Sequence, residues 1–175
     1  MPTYRHTTLG KDSMERIVKD LYTNKKLNKV LDDGNAILVV KLHPLTPHVS
    51  LEARDNFKIL DYRDVENNQE LLGLADILVT DYSSCFVDFA LLNRPIIFYV
   101  PDQNDFLEKS EKLDEAFFDI ERLSKAVDVD GLVDLLHQSS CEVAQRTNEL
   151  FEDNSIKGTC YSENVFNTVK RELRI

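Results

Sequence analysis

Residues Ala75 to Phe89 constrain the fold more than any other stretch of the chain. An apolar run, Ile77 to Val79, stops abruptly at Thr80-Asp81-Tyr82-Ser83-Ser84. A second apolar run, containing Phe86, Val87, Phe89, Ala90, Leu91 and Leu92, follows at once. That order predicts a buried strand, a polar turn and a helix opening at Ser83 or Ser84. A helix start presents unpaired backbone N–H groups and the positive end of the helix dipole, and flanking hydroxyls add donors. The combination suits an anion such as phosphate. Capping the helix is the commonest task of a serine at this position, and that plainer role stands beside the anion-binding one.

The rest of the chain repeats the alternation. From Asp12 to Leu31, apolar residues at Met14, Ile17, Val18, Leu21, Tyr22, Leu27, Val30 and Leu31 fit one amphipathic helix. Asp12 and Glu15 are placed as a capping-box-like pair, and Gly34 falls where such a helix would stop. Ala36 to Leu42 is a Val- and Ile-rich strand that must end at His43-Pro44, because proline cannot continue a ladder. Phe57 to Leu60 is a second strand, and Asn67 or Asn68 caps a short helix through Leu74. After the central strand–turn–helix, Asn93-Arg94-Pro95 turns into a strand, Ile96 to Val100, which stops at Pro101-Asp102. Further helices are predicted over Asp105–Phe117, Leu132–Leu136, Cys141–Phe151 and from Ser162 or Asn164 to Leu173, with a loop from Asp153 to Thr159.

Strands alternating with helices imply right-handed crossovers and a parallel sheet covered on both faces, a doubly wound α/β fold. The strands read as continuous apolar runs, as such a sheet requires. Ligands bind these sheets outside the carboxyl ends of the strands. In this sequence those ends carry His43, then Thr80, Asp81, Ser83 and Ser84, then Asp102. Three strands aim polar groups at one rim.

A length of 175 residues fits one domain, spanning 1–175, with a sizeable core. The net charge of −10 argues against a broad nucleic-acid or anionic-membrane surface. Cys85, Cys141 and Cys160 are odd in number and share no metal-ligand spacing, which fits reduced thiols in a cytoplasmic protein. No apolar run approaches the length needed to span a bilayer, and the chain is polar from Met1 through Arg5, so a soluble protein without a transmembrane segment is expected. There is no G-x-G-x-x-G, no phosphate loop ending in Lys-Ser/Thr, no G-x-S-x-G and no H-E-x-x-H. His43 and His48 bracket a proline-containing loop rather than sharing a helical face, so neither a metal nor another cofactor is expected.

The run Leu42-His43-Pro44, the stretch Ala75 to Ser84, and Asp88-Phe89-Ala90-Leu91-Leu92-Asn93-Arg94-Pro95-Ile96-Ile97-Phe98-Tyr99 together resemble the C-terminal half of the CDP-glycerol glycerophosphotransferase family, the teichoic-acid primases and polymerases and their capsule-synthesis relatives. Pro2-Thr3-Tyr4-Arg5 is similar to that family's proline-threonine-aromatic-arginine motif, and Gly158 to Val165 to its closing Gly-x-x-Ser-x-x-Val region. The resemblance implies one Rossmann-like half of a GT-B-type enzyme. It implies transfer of a polyol phosphate from CDP-glycerol or a related CDP-polyol to a polymer hydroxyl, with release of CMP. By the same resemblance His43 contacts or protonates the donor pyrophosphate, Ser83 and Ser84 hold its oxygens, Thr80 and Asp81 shape the turn, and Arg5, in its motif, contacts phosphate; Asp102, from its place at a strand end, faces the ligand or caps the following segment. Asp81 would bond the turn backbone or a ribose hydroxyl, since its charge repels phosphate. Capping of the segment around Asp105 is the plainer role for Asp102.

Three departures from the family pattern bear on activity. The acceptor-side half, with its histidine-glycine-threonine-proline motif, is not in this sequence. The first strand of the donor half, before Pro2, is also missing, so one position in the sheet is unfilled or supplied from elsewhere. The arginine-glycine and proline-glycine-proline signals are replaced by Lys109 to Leu113 and Leu123 to Ala126. The expected partner is therefore an acceptor half in cis or trans, which would also provide peripheral contact with the inner face of the membrane. Two alternatives stay open at this level: a stand-alone nucleotide-binding or structural module without turnover, and a GT-B glycosyltransferase fragment using another nucleotide sugar.

Overall fold

The chain between Gly10 and Asp33 forms two helices, not the single one its apolar spacing predicts. The computed structural model describes residues 10–46, 48–103, 124–138, 142–144, 166–167 and 170–172. Helix α1 (Gly10–Thr23) ends at Asn24, whose extended backbone starts α2 (Lys25–Asp33) and whose side chain accepts from the Leu27 N–H at 2.9 Å. The break is stable because its loose carbonyl is used. The Tyr22 carbonyl accepts from Asn28 Nδ2 at 3.0 Å and from Arg54 at 2.8 Å. Asp12 therefore lies inside α1 rather than at its start, and Glu15 pairs with Lys19 one turn on, at 2.6 Å. Helix α2 stops where expected, but the left-handed residue is Asn35 (φ 47°), not Gly34.

Strand β1 (Leu38–Lys41) pairs in parallel with β2 (Phe57–Leu60). Helix α3 (Asn68–Leu74) is capped by Asn67, which accepts from the Gln69 N–H at 3.0 Å. Strand β3 (Leu78–Thr80), helix α4 (Cys85–Ala90) and strand β4 (Ile96–Tyr99) follow, and β3 and β4 pair in parallel. A two-residue strand not anticipated from sequence, β5 (Lys125–Ala126), adds to the far edge of β4. Asp128 then starts α5 (Val129–His137) by accepting from the Gly131 N–H at 2.7 Å.

The doubly wound character is visible in how the strand side chains divide. On β4, Ile97 and Tyr99 enter a core built with α1, α2 and α5, whereas Ile96 and Phe98 enter a second core with Leu72 of α3 and Phe86 and Phe89 of α4. On β3 and the residue before it, the same alternation sends Ile77 and Val79 to the first core and Leu78 to the second. Helices thus cover both faces, and the strands are apolar on both, as buried parallel strands must be. Phe86 meets Phe98 edge-on with ring centroids 5.3 Å apart. Arg94 fastens the layer by donating to the carbonyls of Gly73 (2.9 Å) and Ala75 (2.6 Å) at the end of α3.

One expectation is modified. The described strands form two parallel sheets, β1-β2 and β3-β4-β5, rather than one. A cavity of about 550 Å³ lies between β1 and β3. Among the described residues no helix is long and apolar enough to cross a membrane.

Candidate functional site

His43, Asp81, Ser83, Ser84 and Asp102 lie just past the carboxyl ends of three parallel strands, and Thr80 is the last residue of β3. His43 follows β1 by two residues, and its position is set by the turn that Pro44 begins. Its Nδ1 accepts from the Leu45 N–H at 3.2 Å, and its carbonyl accepts from the Thr46 N–H at 2.9 Å. An Nδ1 used as an acceptor places the proton of the neutral ring on Nε2. The side chain is half-buried.

The turn after β3 is built by Asp81. Its carboxylate is 4% exposed and accepts from the Ser83 N–H at 3.1 Å, an Asx turn that bends the chain away from the strand. Thr80 is buried beside Cys85, with its hydroxyl 3.4 Å from the thiol sulfur, and Tyr82 packs in the interior. Ser84 occupies the N-cap position of α4 but adopts helical dihedrals and makes no side-chain capping bond. The capping role considered for it is therefore not used, and its exposed hydroxyl remains available. Helix α4 is only six residues long, so its dipole adds little. The donors at this turn are the hydroxyls of Ser83 and Ser84; the Ser83 N–H is taken by Asp81 and the Val87 N–H by the Ser84 carbonyl.

Asp102 lies in the turn after β4 and is half-buried. Its charge, with those of Asp20 and Asp128, adds to burial in pushing the Tyr99 phenol up to about 12. Arg5, the helix predicted over Asp105–Phe117, and Gly158 to Val165 lie outside the described residues. The structure brings the ends of β1, β3 and β4 to one cavity through Lys41, Thr80, Asp81, Tyr99 and Pro101.

Lys41 is the residue that sequence reasoning passed over. It is 5% exposed, and its ammonium lies 3.5 Å from the Leu42 carbonyl, a marginal bond. A buried cation is costly unless an anion meets it. The available signal was a lone charge inside the Val- and Ile-rich run before His43. Among the described residues no cluster of His, Cys, Asp or Glu could hold a metal ion.

Tyr99 carries a prediction of its own. A phenol ionising at about 12 when folded and near 10 when unfolded binds more protons in the native state between those values. Stability should therefore fall as the pH rises from about 10 toward 12. Thermal melts over that range will show a shallower decline for Tyr99→Phe than for the parent chain; equal slopes would place the titration elsewhere.

The split parallel sheet, with helices on both faces, defines a Rossmann-like α/β fold of the GT-B type. It superposes on the wall teichoic acid polymerase TagF with a TM-score of 0.64 at 19% identity, over 99% of this chain and 42% of that one. A TagF variant soaked with CDPG superposes with a TM-score of 0.61. The CDP-glycerol:poly(glycerophosphate) glycerophosphotransferase family model matches residues 1–155, and the chain belongs to that family. A teichoic acid poly(glycerol phosphate) polymerase of Bacillus spizizenii is 42% identical over 86 residues, covering 44% of this chain and 22% of the relative. A teichoic acid ribitol-phosphate primase of the same species is 33% identical over 86 residues, covering 49% of this chain and 22% of the relative. The chain thus matches about a fifth of the length of these curated relatives.

Proposed function

We propose that this chain is the donor-nucleotide half of a polyol-phosphate transferase, and that it holds a CDP-polyol, CDP-glycerol first among them, across the carboxyl ends of β1, β3 and β4. The observation that carries this reading is the fixed imidazole of His43. With Nδ1 held by the Leu45 N–H, the ring is fixed at the end of β1, in a chain whose family model is that of a CDP-glycerol:poly(glycerophosphate) glycerophosphotransferase.

In the reaction, a polymer hydroxyl oxygen bonds to the phosphorus that carries the polyol. The bond from that phosphorus to the bridging oxygen breaks, and CMP leaves with the electron pair. Such in-line transfers need positioning and charge stabilisation rather than a covalent intermediate. His43 donates to the pyrophosphate and offers a proton to the departing CMP. Lys41 supplies positive charge from the end of β1. Ser83 and Ser84 donate hydroxyl hydrogens to phosphate oxygens. Asp81 acts through the backbone by holding the Ser83 turn, so its negative charge is spent on an N–H and not set against the ligand. Thr80 packs under that turn. Arg5 and Asp102 complete the ligand's surroundings, Asp102 toward hydroxyl groups. The proton of the attacking hydroxyl goes to a base on an acceptor-side half, in cis or trans, which would also bring the enzyme to the inner face of the membrane.

The test is direct. Ser83→Ala combined with Ser84→Ala should weaken CDP-glycerol binding about a hundredfold or more, the loss expected for two hydrogen bonds to a charged group at about 1.5 kcal/mol or more each. The melting temperature should stay close to that of the parent chain, because neither hydroxyl is needed to cap α4. Unchanged affinity in calorimetric titration would remove both serines from the site.

A further inference from the structure

Lys41 is a buried charge that the fold leaves without a counter-charge. It is 5% exposed, and among the described residues its ammonium meets one acceptor, the Leu42 carbonyl at 3.5 Å. The lysines that form ion pairs among those residues are Lys19 with Glu15, Lys26 with Asp130 and Lys58 with Asp55. All three pairs lie on the surface, where such a pair adds little. Lys41 instead lines the polar end of the cavity, together with Thr80 and Asp81. There the Asp81 carboxylate accepts from the Ser83 N–H at 3.1 Å and is not paired with Lys41. A lone buried ammonium is destabilising, and an apolar side chain of similar size at the same place would stabilise the strand better. Stability alone therefore does not account for a lysine here.

We propose that Lys41 makes this end of the cavity a receptor for inorganic pyrophosphate: it binds the free anion without a nucleoside, and the anion-free chain is less stable for carrying the lysine. The class of anion follows from where the donors lie. Lys41 is inside the fold at the end of β1, whereas beyond β3 Ser83 is half-buried and Ser84 exposed. Two linked phosphate groups offer oxygens to both places, one group to the ammonium inside and the other to the hydroxyls at the rim. A chain of net charge −10 repels anions at long range, so an anion held here is held by this cation and not by the general field. Binding of the free anion and the instability of the anion-free chain stand apart from the donor reading. One consequence rests on it: at the proposed donor site, free pyrophosphate competes with the CDP-polyol whose diphosphate it resembles.

Lys41→Met removes the charge and nearly keeps the length of the side chain. In plain buffer its melting temperature should exceed that of the parent chain by about 2 °C or more. Calorimetric titration with sodium pyrophosphate should give saturable binding to the parent and binding weaker by about tenfold or more to Lys41→Met, the loss expected for one hydrogen bond between charged groups. Pyrophosphate should also raise the parent's melting temperature as its concentration rises. Sulfate, which stabilises proteins generally by exclusion from their surface, should act on both chains alike. A Lys41→Met chain that melts below the parent, or fails to fold, overturns the proposal, because the charge is then satisfied within the fold. So does pyrophosphate affinity that is equal in the two chains or absent from the parent at millimolar concentration. Pyrophosphate held through Lys41 by a chain that ignores CDP-glycerol keeps the receptor and sinks the donor reading.

Discussion

Replacing His43 by alanine will lower the affinity for CDP-glycerol by about tenfold to a hundredfold, with little change in the melting temperature. The magnitude is that of one hydrogen bond to a charged oxygen, about 1.5–3 kcal/mol. The small stability effect follows from place: His43 is half-buried in a turn that its own carbonyl and Pro44 already hold. Glutamine carries an amide N–H at about the reach of Nε2, so His43→Gln should recover part of the affinity, whereas His43→Phe should not. If alanine and glutamine bind equally well, the imidazole is not a ligand contact. Isothermal calorimetry on the three variants decides the matter.

Phe89→Ala should be the most damaging core substitution. Its side chain is 0% exposed and lies where α4 meets Phe86, Phe98 and Leu72. Removing a buried ring costs the transfer free energy and leaves a cavity that the neighbours fill only partly, about 3–5 kcal/mol. That is a large share of the stability of an ordinary domain. The urea midpoint should drop while the slope of the transition is kept. A loss below about 1 kcal/mol would mean that the second core is looser than its burial implies. Because α4 begins directly after Ser84, the same variant also tests whether the turn depends on the packing beneath it.

Strands β1, β3 and β4 were legible because a parallel strand buried on both faces is written as an unbroken apolar run. Their ends were legible because Pro44, Asp81 and Pro101 cannot continue them. Asn67 was readable as a cap for the same local reason. The division of α1 from α2 was hidden, since apolar spacing runs on through Asn24 and the break depends on Arg54, thirty residues later. Strand β5 was hidden because two residues carry no periodicity; Lys125 and Ala126 are held by backbone bonds from Phe98 to Ser124 and from Val100 to Ala126. In the site, residue types and their placement past strand ends were readable. The burial of Lys41, the Asp81 bond that makes the turn and the uncapped hydroxyl of Ser84 depend on tertiary contacts and dihedral angles. The division of the described strands into two sheets depends on tertiary arrangement, not on any local pattern.

The central claim is that this fold holds the donor nucleotide. Calorimetric titration of the chain with CDP-glycerol, beside CMP and UDP-glucose, tests it most directly. The account predicts saturable one-to-one binding of CDP-glycerol, weaker binding of CMP, which lacks the second phosphate, and weaker binding still of UDP-glucose. No heat of binding with CDP-glycerol at millimolar concentration, or equal affinity for the two nucleotide diphosphates, would contradict it.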